Sequence, residues 1–354
     1  MHIEKAVYAF RIHGQPVSCL NFGHGHINHT FKITTDSGRE YILQKINKYV
    51  FKDPMKVMIN ASAVTNYIRE RTDDPRMVLH FIPTLRGNYC FRDPDGEFWR
   101  MYDYVGGFCL DAPESDEDFY QSALAFGRFQ HLLSDFPADT LYETIPEFHN
   151  TVDRYRQLKD AIRSDNVKRA SGVQEEIAFA LAQEQQCSIL QHMKEAGTIP
   201  LRITHNDTKL NNVLIDEQTQ EGICIIDLDT TMPGLSIYDF GDSIRFGANH
   251  SAEDEKDLSK VNFDIELYKI YTRGFLEGAQ GGLTDAELEY LPWGAKLMTL
   301  ECGIRFLTDY LDGDHYFRIH YPEQNLDRCR TQFKLVKDME EQWDAMAAVI
   351  AKYM

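Results

Sequence analysis

Residues 203–215 read ITHNDTKLNNVLI, and residues 225–229 read IIDLD. The first stretch places a carboxylate, Asp207, and a carboxamide, Asn212, on a short polar loop that runs into an apolar segment. The second stretch closes another short apolar segment with Asp227. Two short apolar segments joined by a polar turn predict a buried hairpin. We therefore expect three oxygen-bearing side chains to be held on the loops that flank this hairpin.

These three side chains suit phosphoryl transfer from ATP. The reaction needs an acceptor hydroxyl held in line, a carboxylate that accepts its proton, and metal ions that neutralise the phosphates. We assign Asp207 as the base, Asn212 as a metal ligand and Asp227 as the main metal carboxylate, because Mg²⁺ prefers such hard oxygen donors. Any one of them alone more often serves a turn or a helix cap, so the prediction depends on the complete set in this order. His205 is expected to anchor the loop through backbone hydrogen bonds.

The segments before this region read largely as strands. Residues 30–34 and 41–46 flank a turn signal, and further strand-like residues surround the turn at 92–96. A helix is expected from Lys56 to Glu70, because Asp53-Pro54 is a helix-start signature.

A break at Gly106-Gly107 ends the last of these strands, and we place a lobe boundary there. Downstream, apolar residues from Phe119 to Leu133 recur at helical spacing, and residues 173–196 read as one long helix. The predicted fold class is α+β in two lobes. Residues 1–105 form a small β-rich lobe, and residues 106–354 form a large helical lobe that contains the hairpin.

The composition disfavours several kinds of partner. The 354-residue chain has a formal net charge of −18, which argues against nucleic acid. No apolar run approaches the roughly 20 residues that span a bilayer, and the N-terminus lacks the pattern of a signal peptide. The seven cysteines are odd in number and form no CxxC pair, so reduced thiols in a cytoplasmic protein are expected. The sequence does not indicate an oligomeric state.

The motif around Asp207 resembles the aminoglycoside phosphotransferase and choline kinase superfamily, whose members are relatives of protein kinases. The resemblance implies a two-lobed protein-kinase-like fold with a nucleotide-binding N-terminal lobe, and it implies ATP and Mg²⁺ as cofactors. Residues 21–31, NFGHGHINHTF, resemble the nucleotide loop of that superfamily and contribute Gly23 and Gly25. Lys45, on the following predicted strand, resembles its phosphate-binding lysine.

Two details of the nucleotide side follow from the same resemblance. Tyr102 and Tyr104 lie in the segment expected to form the hinge, whose backbone would hydrogen-bond adenine. Related kinases hold the strand lysine with a glutamate on the next helix, but here that helix carries no acid before Glu70. Either Glu70 serves from the helix end, or Lys45 is held in another way.

The acceptor is narrowed by residues 229–249, DTTMPGLSIYDFGDSIRFGAN. Together with the loop around Asp207, this stretch is similar to the branch of the superfamily that phosphorylates the anomeric hydroxyl of N-acetylglucosamine or N-acetylgalactosamine. The resemblance also implies that Asp239 braces the catalytic loop. Hydrogen-bonding and aromatic side chains downstream are candidates for a neutral sugar pocket: Arg245, Phe246, Arg305, Tyr310, Tyr316 and Trp343.

Other acceptors remain open. An aminoglycoside, a choline-type amino alcohol or another hexose would use the same phosphate chemistry, and the net charge of −18 is compatible with a cationic acceptor. A non-catalytic nucleotide-binding pseudokinase would be expected to lack the base or a metal ligand, whereas Asp207, Asn212 and Asp227 are all present.

Overall fold

The chain divides into two compact units, each built from several segments. The computed structural model describes residues 3–23 and 28–354. The first unit comprises residues 1–109, 132–146 and 212–233, and the second comprises residues 110–131, 147–211 and 234–354. The predicted boundary after residue 105 lies near the end of the first segment. The hairpin segment belongs to the first unit rather than to the helical one.

Strands dominate the N-terminal region and helices the C-terminal region, as predicted. The β-strands of the described chain are β1 (Pro16–Asn21), β2 (His29–Thr35), β3 (Glu40–Ile46), β4 (Phe91–Arg92), β5 (Phe98–Asp103), β6 (Arg202–Thr204), β7 (Val213–Ile215), β8 (Gly222–Ile225) and β9 (Met232–Gly234). The α-helices there are α1 (Ile3–Val7), α2 (Pro54–Arg69), α3 (Asp116–Leu132), α4 (Thr151–Ser164), α5 (Gln174–Ala182), α6 (Ile189–Glu195), α7 (Ser236–Gly247), α8 (Ile265–Ala279), α9 (Asp285–Asp312), α10 (Gln324–Glu341) and α11 (Trp343–Ile350). None of these helices is long and apolar enough to cross a membrane.

The first unit is built on an antiparallel sheet of five strands in the order β1-β2-β3-β5-β4. Successive side chains of a strand point to opposite faces of a sheet. One face buries an apolar core against α1, formed by Phe31, Ile33, Tyr41, Leu43, Trp99 and Met101. The opposite face carries Thr30, Gln44 and Arg100 as cross-strand neighbours on β2, β3 and β5.

Helix α2 follows the sheet and starts as the sequence predicts. The side chain of Asp53 caps it by accepting a hydrogen bond from the Lys56 N–H at 3.3 Å. In the middle of the helix, the buried Asn60 amide donates to the Thr231 carbonyl at 3.0 Å. A polar residue on a buried helix face is stabilised only when it is hydrogen-bonded. Asn60 therefore ties α2 to the segment that follows β8.

The predicted hairpin is formed by β7 and β8, with Val213 opposite Ile225. It joins the first unit through two backbone hydrogen bonds, from Phe108 N–H to Ile215 O at 3.0 Å and from Ile215 N–H to Phe108 O at 2.8 Å. Gly107 makes this pairing possible, because its φ is +146° and a Cβ there would lie 2.7 Å from the Ile215 oxygen. The glycine that the sequence marks as a break is thus where the chain meets the hairpin.

The second unit is helical and packs around α9. This helix begins with a capping box, in which Thr284 and Glu287 exchange hydrogen bonds. It meets α7 so closely that a Cβ on Gly241 would lie 2.3 Å from the Gly294 oxygen. Close packing of these helices depends on glycine at that crossing.

Two helix predictions for the second unit had different outcomes. Helix α3 buries Phe119, Phe126 and Phe129 on one face, as their spacing predicts. The single long helix predicted for residues 173–196 is wrong, because it is divided into α5, a short 3-10 turn and α6. The end of α5 tightens when the Gln183 N–H bonds to the Ala180 carbonyl three residues earlier.

Candidate active site

The acidic turn, residues 227–230 after β8, carries the predicted metal carboxylate. Asp227 adopts a left-handed backbone conformation with φ 58° and ψ 58°. Such a conformation is uncommon for a residue other than glycine and is found where surrounding contacts impose it. The residue before it is fixed by a hydrogen bond from Ile226 N–H to Asn212 O at 2.9 Å. The two predicted metal ligands of the first unit are therefore linked through the backbone.

Asp229 anchors the acidic turn to the sheet. Its carboxylate forms an ion pair with Arg100, and each of the two side chains is only 2% exposed. The second carboxylate oxygen accepts a hydrogen bond from Asn28 Nδ2 at 2.7 Å. Burial tends to lower the pKa of the Arg100 guanidinium, but Asp229 outweighs that effect and the pKa is raised. Arg100 therefore stays charged inside the protein.

Arg100 is itself oriented by the sheet. Its Nε donates to Gln44 Oε1 at 2.8 Å, and Gln44 Nε2 donates to Thr30 Oγ1 at 3.0 Å. Asn28, which binds Asp229, accepts the Asn47 N–H at 3.0 Å. The result is a polar network that runs from β2 through β3 and β5 to the acidic turn, and its members Arg100 and Asp229 are buried.

The catalytic loop, residues 205–209, lies in the second unit and is held by Asp239. The Asp239 carboxylate accepts hydrogen bonds from the His205 N–H at 2.9 Å and the Asn206 N–H at 2.8 Å. It also accepts the Gln130 amide at 2.8 Å. Burial raises the pKa of Asp239 above its usual value. The bracing role that the resemblance implies for Asp239 matches these contacts.

Further hydrogen bonds fix the residues around the predicted base. The Asp207 N–H donates to His205 Nδ1 at 3.3 Å, so the imidazole anchors the loop as expected. Thr208 Oγ1 donates to the Asp239 carbonyl at 2.6 Å, and the Thr208 N–H donates to Asp242 Oδ2 at 3.2 Å. Lys209 Nζ lies 3.0 Å from Asp207 Oδ1, and the Asp207 carboxylate is the main cause of a raised pKa of Lys209.

Asp242 connects the loop to the first two acceptor candidates. Arg245 donates from Nε to Asp242 Oδ1 at 2.9 Å and from Nη1 to Glu253 Oε1 at 3.0 Å. Burial raises the pKa of Asp242, but the cations of Arg245 and Lys209 outweigh it and leave that pKa below its usual value. A cavity of about 410 Å³ opens here and is lined by Arg245, Phe246, Asn249 and Glu253, among others.

Arg305 and Tyr316, two further acceptor candidates, contact each other. Arg305 Nη2 lies 3.4 Å from the Tyr316 hydroxyl, and its guanidinium also lies 5.8 Å from the Phe148 ring. Both arginines interact electrostatically with Cys302. Burial raises the pKa of that thiol to about 11, while the charges of Arg245 and Arg305 act to lower it. The structure therefore brings both predicted arginines to one region of the second unit.

A histidine that the sequence analysis did not identify adjoins this region. His149 is about 10% exposed, and its Nδ1 lies 3.1 Å from the buried Glu301 carboxylate. Glu301 also accepts the Thr151 hydroxyl at 2.8 Å. Within the described part of the chain, His149 Nε2 has no hydrogen-bond partner. Its ring lies 5.1 Å from the ring of Tyr238 on α7, the helix that also carries Asp239 and Asp242.

The remaining acceptor candidates lie elsewhere in the second unit. Trp343 packs edge-on against Trp293 with ring centroids 4.8 Å apart, and Lys296 lies 6.0 Å from the Trp343 ring. Tyr310 is buried, with the Arg169 guanidinium 4.5 Å from its ring. Tyr310 is thus a core residue, whereas Trp343 is half-buried.

On the nucleotide side, the structure shows the second of the two arrangements that the sequence leaves open for Lys45, because another residue than Glu70 accompanies it. Its Nζ lies 3.8 Å from a carboxylate oxygen of Glu97, which precedes β5. Glu70 is exposed and its nearest cation is Arg71 at 3.7 Å. The acid that accompanies Lys45 thus comes from the sheet and not from α2. The sequence carried no signal for this pairing, because Lys45 and Glu97 are 52 positions apart.

The loop glycines and the hinge tyrosines complete the predicted set. Gly23 has φ +75°, and among the described residues no atom lies within 4 Å of where its Cβ would be, while Gly25 lies outside those residues. Tyr102 is half-buried beside Phe81, with ring centroids 5.7 Å apart. The Tyr104 N–H already donates to the Glu40 carbonyl at 3.1 Å. Any adenine contact of Tyr104 must therefore use another of its groups.

The donor set suits a magnesium ion that is shared with a nucleotide. Asn212 and Asp227 offer oxygen atoms, which Mg²⁺ prefers, and Mg²⁺ commonly takes only one or two protein carboxylates along with phosphate oxygens. Among residues 3–23 and 28–354, no group of three histidine, cysteine, aspartate or glutamate side chains could hold a metal by itself. The residues present fit a metal that arrives with phosphate.

A strand-rich region with a carboxylate-bearing turn and a helical region with a braced polar loop define a phosphotransferase of the protein-kinase-like class. The chain belongs to the phosphotransferase enzyme family, whose sequence model matches residues 18–271. This match confirms the wider superfamily that the motifs indicate.

Similar solved structures show the same fold at low sequence identity. A microcompartment-associated aminopropanol kinase is 18% identical, with a TM-score of 0.67 and 98% of each chain covered. Amicoumacin kinase hAmiN, solved with AMP-PNP, Ca²⁺ and amicoumacin, is 14% identical, with a TM-score of 0.64 and coverage of 96% of this chain and 92% of that one. Choline kinase from Cryptosporidium parvum Iowa II is 13% identical, with a TM-score of 0.58 and coverage of 95% and 92%. The predicted protein-kinase-like α+β fold is confirmed.

Proposed function

We propose that the protein is an ATP- and Mg²⁺-dependent kinase that phosphorylates the anomeric hydroxyl of an N-acetylhexosamine. The observation that carries the kinase part is Asp227, a carboxylate held in a left-handed conformation two residues before a buried ion pair. Strained residues of this kind cluster at functional sites. The family membership and the intact set of Asp207, Asn212 and Asp227 support the same proposal.

In the proposed reaction, Asp207 accepts the proton of the acceptor hydroxyl. The acceptor oxygen forms a bond to the γ-phosphorus, the bond from that phosphorus to the β–γ bridging oxygen breaks, and ADP leaves. Lys209 remains protonated because Asp207 raises its pKa, so a positive charge stays beside the base. Bound Mg²⁺ neutralises phosphate charge, and Asn212 and Asp227 are the residues that would hold it.

The nucleotide is proposed to bind through the first unit. Gly23 and Gly25 belong to the loop that resembles a nucleotide loop, Tyr102 and Tyr104 to the proposed hinge, and Lys45 to the strand between them. These five assignments stay predictions that nucleotide-binding measurements on single variants can test.

The N-acetylhexosamine assignment is supported by the region around Arg245 and Arg305. A neutral sugar offers hydroxyl and carbonyl groups that guanidinium, imidazole and phenol groups can bind, and sugar sites combine such groups with aromatic rings. Phe246 lines the cavity at Arg245, and Tyr316 and Phe148 flank Arg305. The sequence resemblance of residues 229–249 indicates which sugar class to test first.

A second candidate is a kinase of a cationic amino alcohol or aminoglycoside. The cavity beside Arg245 is also lined by Asp111, Glu114, Asp116 and Glu253. Several carboxylates at one cavity attract a cationic acceptor through long-range electrostatics. The aminopropanol and choline kinases among the similar structures carry such acceptors in their names.

One assay distinguishes these candidates. ADP release is measured with N-acetylglucosamine, N-acetylgalactosamine, simple hexoses, aminopropanol, choline and aminoglycosides at matched concentrations, and ³¹P NMR locates the new phosphate. The proposal expects the highest kcat/KM for an N-acetylhexosamine and a phosphate on the anomeric oxygen. Phosphate on another oxygen would overturn the 1-kinase assignment, and preference for a cationic acceptor would establish the second candidate. If none of these acceptors stimulates ADP release, the proposal that the protein phosphorylates a small hydroxyl compound is contradicted.

A further inference from the structure

The faces of β3 separate Lys45 from the polar network. Tyr41, Leu43 and Lys45 alternate onto the same face of the sheet, and Tyr41 and Leu43 belong to the core that packs on α1. Gln44 points to the opposite face. The cation that shares the face of Gln44 is Arg100, its direct cross-strand partner on β5.

Arg100 reaches the acidic turn from that face. Its Nε is held by Gln44 at 2.8 Å, and its Nη1 binds Asp229, while Asn28 occupies the other oxygen of Asp229. Both carboxylate oxygens of Asp229 are thus engaged by protein donors. Asp227, two residues earlier in the same turn, is the carboxylate that the sequence assigns to the metal.

The same contacts explain how Asp227 keeps its unusual backbone. Asp227 is a non-glycine residue at φ 58°, and neighbouring contacts fix the chain on both sides of it. Asn212 holds the residue before Asp227, and Arg100 holds Asp229 two residues after it. Arg100, which lies on a strand of the sheet, therefore fixes the chain next to Asp227 through one buried ion pair.

We propose that Arg100 is the positioning residue of the metal–nucleotide site: oriented by Gln44, it fixes Asp229 and thereby presents Asp227 to the metal ion. This inference rests on the proposed function, because it assigns Arg100 to the Mg²⁺–ATP complex. It adds a residue in the middle of β5 that the sequence motifs did not mark.

The test is calorimetric binding of a non-hydrolysable ATP analogue, with Mg²⁺ and with EDTA, in the absence of any acceptor. Loss of a residue that orients a metal ligand typically weakens metal affinity about 10–100-fold. The expected result for Arg100→Met is a dissociation constant for the Mg²⁺ complex raised about 10–100-fold, with little change for the metal-free analogue. Arg92→Met, an exposed arginine on β4, is the matched control and should leave both constants unchanged.

Folding is controlled by a second pair of variants. Arg100→Met alone leaves Asp229 buried without its partner, so Arg100→Met/Asp229→Leu removes both charges, a replacement that proteins often tolerate. This double variant should keep the wild-type circular dichroism spectrum and still show the Mg²⁺-specific loss. Gln44→Met, which keeps the ion pair, should show a smaller Mg²⁺-specific loss, and Arg100→Lys should recover part of the affinity that Arg100→Met loses.

If the folded double variant and Gln44→Met bind the Mg²⁺ complex like wild type, the role of Arg100 is wrong. Equal weakening with and without Mg²⁺ would overturn it as well, and so would a Mg²⁺-specific loss in Lys45→Met that exceeds that of the Arg100 variants. If the wild-type protein binds no Mg²⁺–nucleotide at all, it is the proposed kinase function that fails.

Discussion

The acidic turn and the catalytic loop are each fixed by one buried aspartate, but the two aspartates are compensated in different ways. Asp229 is held by the guanidinium of Arg100, whereas Asp239 is held by the backbone N–H groups of His205 and Asn206 and by the Gln130 amide. Arg100 remains charged beside Asp229, and burial raises the pKa of Asp239. A full charge thus fixes the turn that carries the proposed metal carboxylate, whereas backbone and amide N–H groups hold the loop that carries the proposed base.

The largest effects are expected when the two carboxylates with proposed roles, Asp207 in the loop and Asp227 in the turn, are substituted one at a time. Asp207→Asn should lower kcat by about 100–10,000-fold, because a general base acts mainly in the transition state, while affinity for the Mg²⁺–nucleotide complex is retained. Steady-state kinetics and calorimetry measure the two quantities separately. Asp227→Ala should instead lower mainly the affinity for the Mg²⁺–nucleotide complex. Equal effects of both variants on binding would contradict the division of roles.

Among single substitutions in the acidic turn and the loop, the removal of the Asp229 carboxylate should lower the free energy of unfolding the most. Asp229→Ala leaves Arg100 charged and buried without a partner, and breaking a buried ion pair in this way costs about 3–5 kcal/mol of unfolding free energy. Urea denaturation measures the loss. Asp74→Ala breaks the exposed pair with Arg76, where solvent screens the charges, and should cost at most about 1 kcal/mol. Similar losses for the two variants would contradict the importance of burial.

The neutral compensation of Asp239 predicts a smaller loss with a characteristic pH dependence. Asp239→Asn offers one acceptor oxygen in place of two, so about 1–3 kcal/mol should be lost as a buried N–H goes unpaired. A carboxyl whose pKa is raised on folding contributes stability below its unfolded pKa, about 3.8, and loses that contribution as pH rises through the folded value. The stability difference between wild type and Asp239→Asn should therefore shrink as pH rises above about 4.

Asp242→Asn is the control for that sign. The pKa of Asp242 is lowered in the fold, so its contribution should be lost as pH falls instead. The two variants should differ from wild type with opposite pH slopes in urea denaturation. If the two slopes have the same sign, the opposite pKa shifts of Asp239 and Asp242 on folding are wrong.

The smallest expected effect concerns a neutral side chain of the loop. Thr208→Val removes the hydrogen bond from Thr208 Oγ1 to the Asp239 carbonyl at 2.6 Å, and a neutral hydrogen bond contributes about 1 kcal/mol. Thermal denaturation measures the change, and KM for the Mg²⁺–nucleotide should not move. A loss as large as that of Asp229→Ala would show that the loop depends on its neutral bonds as strongly as the turn depends on charge.

Local signals in the sequence predicted much of the fold and the motif residues. Asp53-Pro54 marked the start of α2, and the phenylalanines of α3 marked its buried face. Each of these depends on neighbours within a few positions, where spacing and capping preferences act. The division of residues 173–196 into two helices depends on weak preferences and escaped prediction.

The polar network could not be predicted from spacing. Ile42 and Leu43 are both buried, so β3 lacks the alternation that would reveal which face carries Gln44 and which carries Lys45. The pairing of Arg100 with Asp229 joins residues 129 positions apart. The one available signal was a charged residue among the apolar residues of β5, because a buried charge requires a partner. His149 offered no signal of this kind.

The backbone of Asp227 also determines which inactive forms of the protein can be made. Asparagine and glycine tolerate a φ of 58°, whereas most other residues are strained there. Asp227→Asn should therefore fold normally while it lacks the carboxylate, and branched residues at 227 should reduce the yield of folded protein. Such a variant would be a suitable trap for crystallising the protein with unreacted acceptor and nucleotide bound together.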